Sequence, residues 1–507
     1  MVSNGKSNNN APVIRARRMG IDTYHEPIVF MRADCHVCRS EGFQVRARVL
    51  VMAGERSLIA TLNVVTDDLL DLDEAGLSEA AWRALGVEPG QALEFAHPEP
   101  TQSFSSVRRK MYGLHLEPGE YAAIVRDVVA GRYSNIELAS FLTACAGDHM
   151  AHDEIVSLTR AMADVGTILT WPTRPVVDKH CIGGLPGNRT TPIIVAIAAA
   201  AGLTMPKTSS RAITSPAGTA DAMETLAPVD LDLPAMRQVV EQEGGCIVWG
   251  GAMDLSPADD ILIRVERPLD FDSDGQLVAS VLSKKLAAGS THVVLDVPVG
   301  PTAKVRSAAA GRALVNKLTQ VGAEVGLSVH AVQTPGTDPV GFGIGPALEA
   351  RDLLAVLQCA TGCPDDLRER ALRLAGAVLV LGGKASGDGI DEATRILDSG
   401  AAWRKFQAIC AAQGGLREPP TASFKRDFVA PQAGRIKAID NRKLARVAKL
   451  AGAPRSPAAG LELHMKTGER VEHGQPMFTL HAQSKGELLY AAAYASGHGA
   501  PYELEPV

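Results

Sequence analysis

Long hydrophobic runs are missing from this chain. Apolar stretches such as Ile193–Leu203 are alanine-rich and only eleven residues long, well short of the ~20 that a membrane-spanning helix needs. They read as core helices, and no membrane role is expected. A basic field is missing as well. The net charge is −6 at pH 7, and the richest basic stretch, Arg15-Ala16-Arg17-Arg18, reads as a solvated segment, so nucleic acid is not an expected partner. Cysteine is sparse, and eight scattered thiols give no disulfide framework. Cys35-His36-Val37-Cys38 has the form of half a zinc site. No second pair with that spacing follows, because three residues separate Cys359 from Cys363, and no metal is expected. Met1–Asn10 is polar without an apolar signal core, which makes a cytoplasmic location the expectation.

What the chain does contain is concentrated between residues 178 and 219. Asp178-Lys179-His180-Cys181-Ile182-Gly183-Gly184-Leu185-Pro186-Gly187-Asn188-Arg189-Thr190-Thr191 sets a cation and an imidazole before a glycine-rich turn. Pro192–Ala201 then reads as a helix whose free N–H groups face that turn, an arrangement suited to an oxyanion. A second segment, Lys207-Thr208-Ser209-Ser210-Arg211-Ala212-Ile213-Thr214-Ser215-Pro216-Ala217-Gly218-Thr219, crowds hydroxyls and an arginine around another glycine. Either segment alone is also compatible with an ordinary turn or a solvated loop; the two together point to a phosphate beside a polar small molecule. No Gly-Lys-Ser/Thr follows the glycines, and Gly341-Phe342-Gly343-Ile344-Gly345 lacks dinucleotide spacing, so ATP and NAD fit less well.

The chain length suggests about three domains, with 46% hydrophobic residues to fill their cores. Residues 1–12 are expected to be disordered. Residues 13–95 alternate with strand period, as in Gln44–Val51 and Ser57–Val65, and Leu77–Leu85 reads as a helix closed by Gly86. Residues 96–175 turn helical, with a Ser134/Glu137 capping box before Leu138–Ala146. Residues 176–425 alternate strands such as Val293–Val297 with helices such as Ser307–Val321, an α/β pattern. Residues 426–507 return to short strands and turns.

KHCIGG at 179–184, SSRAITSPAGT at 209–219 and Ala279-Ser280-Val281-Leu282-Ser283-Lys284-Lys285-Leu286 together resemble the thymidine phosphorylase family, and within it the subgroup that includes AMP phosphorylases. The likeness runs from about Tyr112 to the C-terminus. It implies an α/β multidomain fold: an N-terminal β-rich domain, a helical lobe at 96–175 joined by part of 270–305, an α/β phosphate-binding domain at 176–425, and a C-terminal β-rich, hammerhead-like domain. It also implies phosphorolysis of an N-glycosidic bond without metal or organic cofactor, inorganic phosphate being a substrate.

By the same resemblance Lys179, the backbone at Gly184, Thr191, Ser209 and Thr219 bind phosphate or substrate, along with the loop Ser210, Arg211, Ala212, Ile213, Thr214 and Ser215. Cys181 replaces the usual serine, and a thiol donates weakly. His180 assists the leaving base, and its neutral and charged forms are both accessible near pH 7. Asp272 matches the proton donor of the AMP enzymes, a role that requires burial or a like charge to raise its pKa; a cluster with Asp270 and Asp274 is otherwise a solvated turn. Ser280 and Lys284 share a helix face and hold the base, and Lys304 neutralises a 5′-phosphate. Arg264 and Arg267 both lie close to the family's base-contacting arginine, and either aligns with it only after a shift.

Two substrates remain open. Thymidine, giving thymine and 2-deoxyribose 1-phosphate, is the default; the hydroxyl loop, Lys304 and the extra N-terminal domain point instead to a nucleoside 5′-monophosphate such as AMP. A phosphoribosyltransferase of the anthranilate type would need magnesium and an acidic metal site, and a scaffold role would leave the anion loop unexplained. The resemblance further implies a homodimer or higher homo-oligomer, and closure about a hinge near 174–177.

Overall fold

The computed structural model describes residues 13–212, 215–253, 255–269, 273–497 and 501–506. Two compact units emerge, one ending at Ala144 and the other beginning at Cys145.

In the first unit, strand alternation buries Val49, Val51 and Ala53 on one face, and a closed barrel results. Its strand order is Ile14–Arg18, Glu74–Leu77, Ile28–Arg32, Arg56–Val65, Arg48–Ala53 and Ala92–Ala96. Closure leaves no edge open to pairing. The run expected as a strand from Gln44 becomes one only at Arg48, because Arg46 adopts a left-handed φ of 70° in a turn. The helix expected from Leu77 starts at Glu79: Leu77 is spent in a strand, and the Ser78 hydroxyl caps the helix by accepting from Ala81 N at 3.3 Å. Cys35 and Cys38 both lie in the barrel core. Three helices follow, Phe104–Met111, Pro118–Val129 and Asn135–Ala144. The last opens with Ser134 N donating to Glu137 at 2.7 Å and Glu137 N donating back to the Ser134 hydroxyl at 3.3 Å.

The unit boundary falls inside the segment expected as one helical lobe, and helix His152–Asp164 belongs to the second unit, where it packs on helix Asp274–Ala287. This unit is built on parallel strands. Val177–Cys181 and Ser328–Pro335 flank His292–Val299, and a single bridge from Val176 to Thr204 leads on to the pair Met205–Ser209 and Gly245–Trp249. Strands covered on both faces are apolar almost throughout, as Val293–Val297 are apart from Asp296. Helix Thr191–Ala200, with helices from 346 to 412, packs into the large core beside them. Cys181, Ser209 and Trp249 sit at the C-terminal ends of their strands, where ligands bind in open α/β sheets.

The C-terminal part contributes a four-stranded and a three-stranded sheet. The four-stranded one borrows its edge, Gly343–Ile344, from the α/β region and pairs it with Gly460–Leu463. The approach is close: a Cβ on Gly460 would lie 2.0 Å from Ile344 O, and one on Gly345 2.4 Å from Ala459 O. Among the described residues no helix is long and apolar enough to cross a membrane.

Candidate active site

The glycine-rich turn is shaped by what lies against it. Gly184 has φ of 86° and its Cα faces the backbone of Lys304, where an added Cβ would lie 2.5 Å from the amide nitrogen. Gly187 is pressed likewise onto Val340 O, at 2.0 Å from a would-be Cβ. Any side chain at either position would displace the loop. The turn delivers the chain to Thr191–Ala200, whose first turn carries no acidic residue to occupy its N–H groups.

Behind the turn lies a buried charge cluster. Lys179 Nζ donates to Thr190 Oγ1 at 2.9 Å and reaches Thr191 Oγ1 at 3.5 Å and Asp296 Oδ2 at 3.8 Å. Asp178 accepts from Lys285 Nζ at 2.6 Å and faces Lys207 Nζ at 3.2 Å. Asp296 also accepts from Asn188 Nδ2 at 3.0 Å and from Thr334 Oγ1 at 2.6 Å, with Arg370 at 3.6 Å. The four basic side chains are 0, 5, 2 and 9% exposed for Lys179, Lys207, Lys285 and Arg370. Among the described residues the carboxylates they face are Asp178 and Asp296. Buried charge without a counter-charge is strongly unfavourable, so the cluster is completed by an anion or relieved by losing a proton. Burial pushes Lys285 down to about 7 despite Asp178 beside it. Burial opposes ionisation of Asp178 too, but Lys207 and Lys285 hold it below the usual carboxylate range. The Ser209 hydroxyl is buried and has no hydrogen-bond partner among the described residues, an unmet donor at the end of its strand.

His180 differs from the expectation of two accessible protonation states. Burial, then the charges of Lys285, Lys207, Lys284 and Lys179, hold it well below the ordinary imidazole range, so in the ligand-free protein it is neutral at pH 7 and offers one N–H and one lone pair. Cys181 is likewise defined: its sulfur accepts from Gly183 N at 3.4 Å and Asn188 Nδ2 at 3.3 Å, and burial pushes its thiol up to about 12. It braces the turn.

The hydroxyl loop folds onto Asp221, whose Oδ2 accepts from Ala212 N at 2.6 Å and Gly218 N at 2.8 Å. Arg211 stacks over Trp249 at 4.8 Å and is held by Glu224 at 2.5 and 2.9 Å, with Asp221 and Asp230 each at 3.5 Å. Ser210 is exposed, and Ser215 Oγ turns back to Ala217 O at 2.9 Å. Thr219 Oγ1 accepts from Arg189 NH1 at 2.8 Å. Ile213, Thr214, Asp270 and Asp272 lie outside the described residues, as does the side chain of Arg267. Arg264 Nε donates to Asp260 O at 3.1 Å within its own helix.

Ser280 and Lys284 do meet: Lys284 Nζ donates to Ser280 Oγ at 3.1 Å and to Asp259 at 2.7 Å. Asp259, at the start of helix Pro257–Leu269, was not singled out in the sequence, nor were Lys207, Lys285, Asp296 and Arg370. Two of them carried a local signal: Lys207 opens the hydroxyl segment, and Lys285 adjoins Lys284, although on a helix these two lysines point about 100° apart and they enter different clusters.

Residues 173–403 match the α/β domain of a glycosyl transferase family, residues 105–166 its helical bundle domain, and residues 435–497 the pyrimidine nucleoside phosphorylase C-terminal domain. A putative thymidine phosphorylase of Polaromonas sp. is 61% identical over 95% of both chains. Another, from Parvibaculum lavamentivorans, is 56% identical over 98% of both. Among solved structures, anthranilate phosphoribosyltransferase from Thermus thermophilus superimposes with a TM-score of 0.51 at 22% identity, over 61% of this chain and 99% of that one; this likeness concerns the fold alone. By these matches the chain is a pentosyltransferase belonging to the thymidine and pyrimidine-nucleoside phosphorylase family.

Proposed function

We propose that the protein is a nucleoside phosphorylase in which inorganic phosphate displaces the base from C1′ of the pentose. The observation that carries this reading is the surplus of buried cations over carboxylates beside the glycine turn, with the unmet Ser209 hydroxyl at the same strand ends. A phosphate dianion supplies the missing charge. Lys179, the turn's N–H groups and the helix N-terminus hold it and orient one oxygen towards C1′. As the glycosidic bond breaks, positive charge on the sugar is stabilised by that phosphate, and the base leaves with negative charge. The neutral His180 can donate its N–H to that base; Asp272 is the alternative proton donor. Lys284 holds the base in this reading, supported by its contacts with Asp259 and Ser280.

Thymidine is the favoured substrate, supported by the names of the 56–61% identical relatives. A nucleoside 5′-monophosphate is a second reading, favoured by the packing of the Lys304 backbone on Gly184, which puts residue 304 beside the glycine turn. The test is base release without added anion, with phosphate and with pyrophosphate, from thymidine, uridine, AMP, CMP and UMP, each with and without magnesium. Phosphate-dependent thymine release is expected. Release only from monophosphates selects the second reading, and no release, or release that requires magnesium and pyrophosphate in place of phosphate, overturns both.

A further inference from the structure

Arg189 sits in the glycine-rich segment, yet the reaction just described gives it no task. Its side chain is 9% exposed and that of Glu349 1%. Nε donates to Glu349 Oε2 at 2.7 Å, with NH2 2.5 Å from the same oxygen. The remaining donors cross to the hydroxyl loop: NH1 donates to Thr219 Oγ1 at 2.8 Å and NH2 to Ala217 O at 2.9 Å. Glu349 is itself fixed, in the first turn of helix Pro346–Leu357, and its other oxygen accepts from Gly345 N at 3.2 Å. One guanidinium thus joins the two loops that flank the anion site.

The direction of one bond matters most. Thr219 Oγ1 accepts from Arg189, so its own hydrogen is free to be donated elsewhere. Glu349 meanwhile neutralises the arginine, which therefore adds no charge of its own to the anion site. We propose that Arg189 is a positioning residue for phosphate: through Thr219 and Ala217 it holds the hydroxyl loop in register with the glycine turn and leaves the Thr219 hydroxyl as a donor to the bound anion. The inference rests on the phosphorylase reading. A planar fork is essential to it, because a lysine pairs with Glu349 as a point charge but cannot reach three acceptors in different directions.

The test compares wild type, Arg189→Lys, Thr219→Val and their combination by titration calorimetry with inorganic phosphate alone, and by phosphate and nucleoside KM. Arg189→Lys is expected to weaken phosphate binding by about tenfold, on the order of one good hydrogen bond, with nucleoside KM within about threefold of wild type. Because the arginine works through Thr219, adding Arg189→Lys to Thr219→Val should cost clearly less than its effect alone. A second arm, Arg189→Met with Glu349→Leu, removes both charges, a change that buried pairs often tolerate; it should fold and still bind phosphate weakly. Equal phosphate affinity in either arm, or independent effects of Arg189 and Thr219, overturns the positioning role. Phosphate binding by wild type without base release from any nucleoside would sink the phosphorylase reading alone, and no phosphate binding by wild type would sink both.

Discussion

The barrel and the α/β core treat charge in opposite ways. In the barrel, Arg18 forks onto Glu79 with both bonds at 2.7 Å, and Arg17 meets Glu74 at 2.9 Å, with the arginine side chains 56% and 46% exposed. Each charge has a partner and water as well. At the strand ends of the core, four basic groups are nearly dry and share two carboxylates. Exposed pairs of the first kind contribute little and say nothing about chemistry. An unmatched interior charge is offset by a ligand or relieved by losing a proton, and it is this imbalance on which the proposed phosphate site rests.

The sharpest way to break this contrast is Lys179→Met, which removes the buried cation bonded to Thr190 at the end of the turn. Turnover should fall by roughly a thousandfold, the scale of losing a main electrostatic contact in a transition state, while a steady-state assay with Arg18→Ala in the barrel stays at wild-type rate. Next comes Asp259→Asn, which frees Lys284 from its anchor. Nucleoside KM should rise by about tenfold or more with phosphate KM unchanged; parallel changes in both constants would place Asp259 elsewhere in the mechanism.

The pH response sharpens the comparison further. Lys285 has a folded pKa of about 7, below its unfolded value near 10.5. Between those values the unfolded chain binds the extra proton, so this group makes stability rise with pH from about 7 to 10. Chemical denaturation across that window should show a flatter slope in Lys285→Met. If phosphate binds here as proposed, it restores the counter-charge and raises the lysine pKa again, so calorimetry at pH 8 in buffers of different ionisation enthalpy should report proton uptake on binding. Smallest is Ser209→Ala. Removing an unmet buried hydroxyl should leave the ligand-free melting temperature unchanged or slightly higher, but reduce the upward shift that saturating phosphate produces.

Local spacing made part of this legible in advance. The glycine turn, the helix behind it and the Ser280–Lys284 pair depend on residues a few positions apart, and so they could be read directly from the sequence. Asp178 with Lys285, Asn188 with Asp296, and Arg189 with Glu349 are contacts between segments more than a hundred residues apart, joined only when parallel strands and their crossover helices stack. No periodicity announces them. Cys181 looked like a lost phosphate donor when judged by its thiol, and became a brace once Asn188 and Gly183 were seen donating to it. Arg211, expected among the phosphate- or substrate-binding residues, is held by Glu224 thirteen residues on, a pairing that the loop's own sequence does not show.

The pairing of Gly343–Ile344 with Gly460–Leu463 has a bearing on how such a protein can evolve. Val340, just upstream, donates its N–H to Pro186 O at 3.1 Å inside the glycine turn, so the borrowed strand runs directly from the anion loop into the C-terminal sheet. Its two glycine contacts leave no room for a side chain on either partner. A recombination event that exchanged the C-terminal segment for an unrelated one would have to match that backbone interface atom for atom or lose the loop's backing. The last domain is therefore tied to the glycine turn through shared backbone rather than joined to it by a free linker.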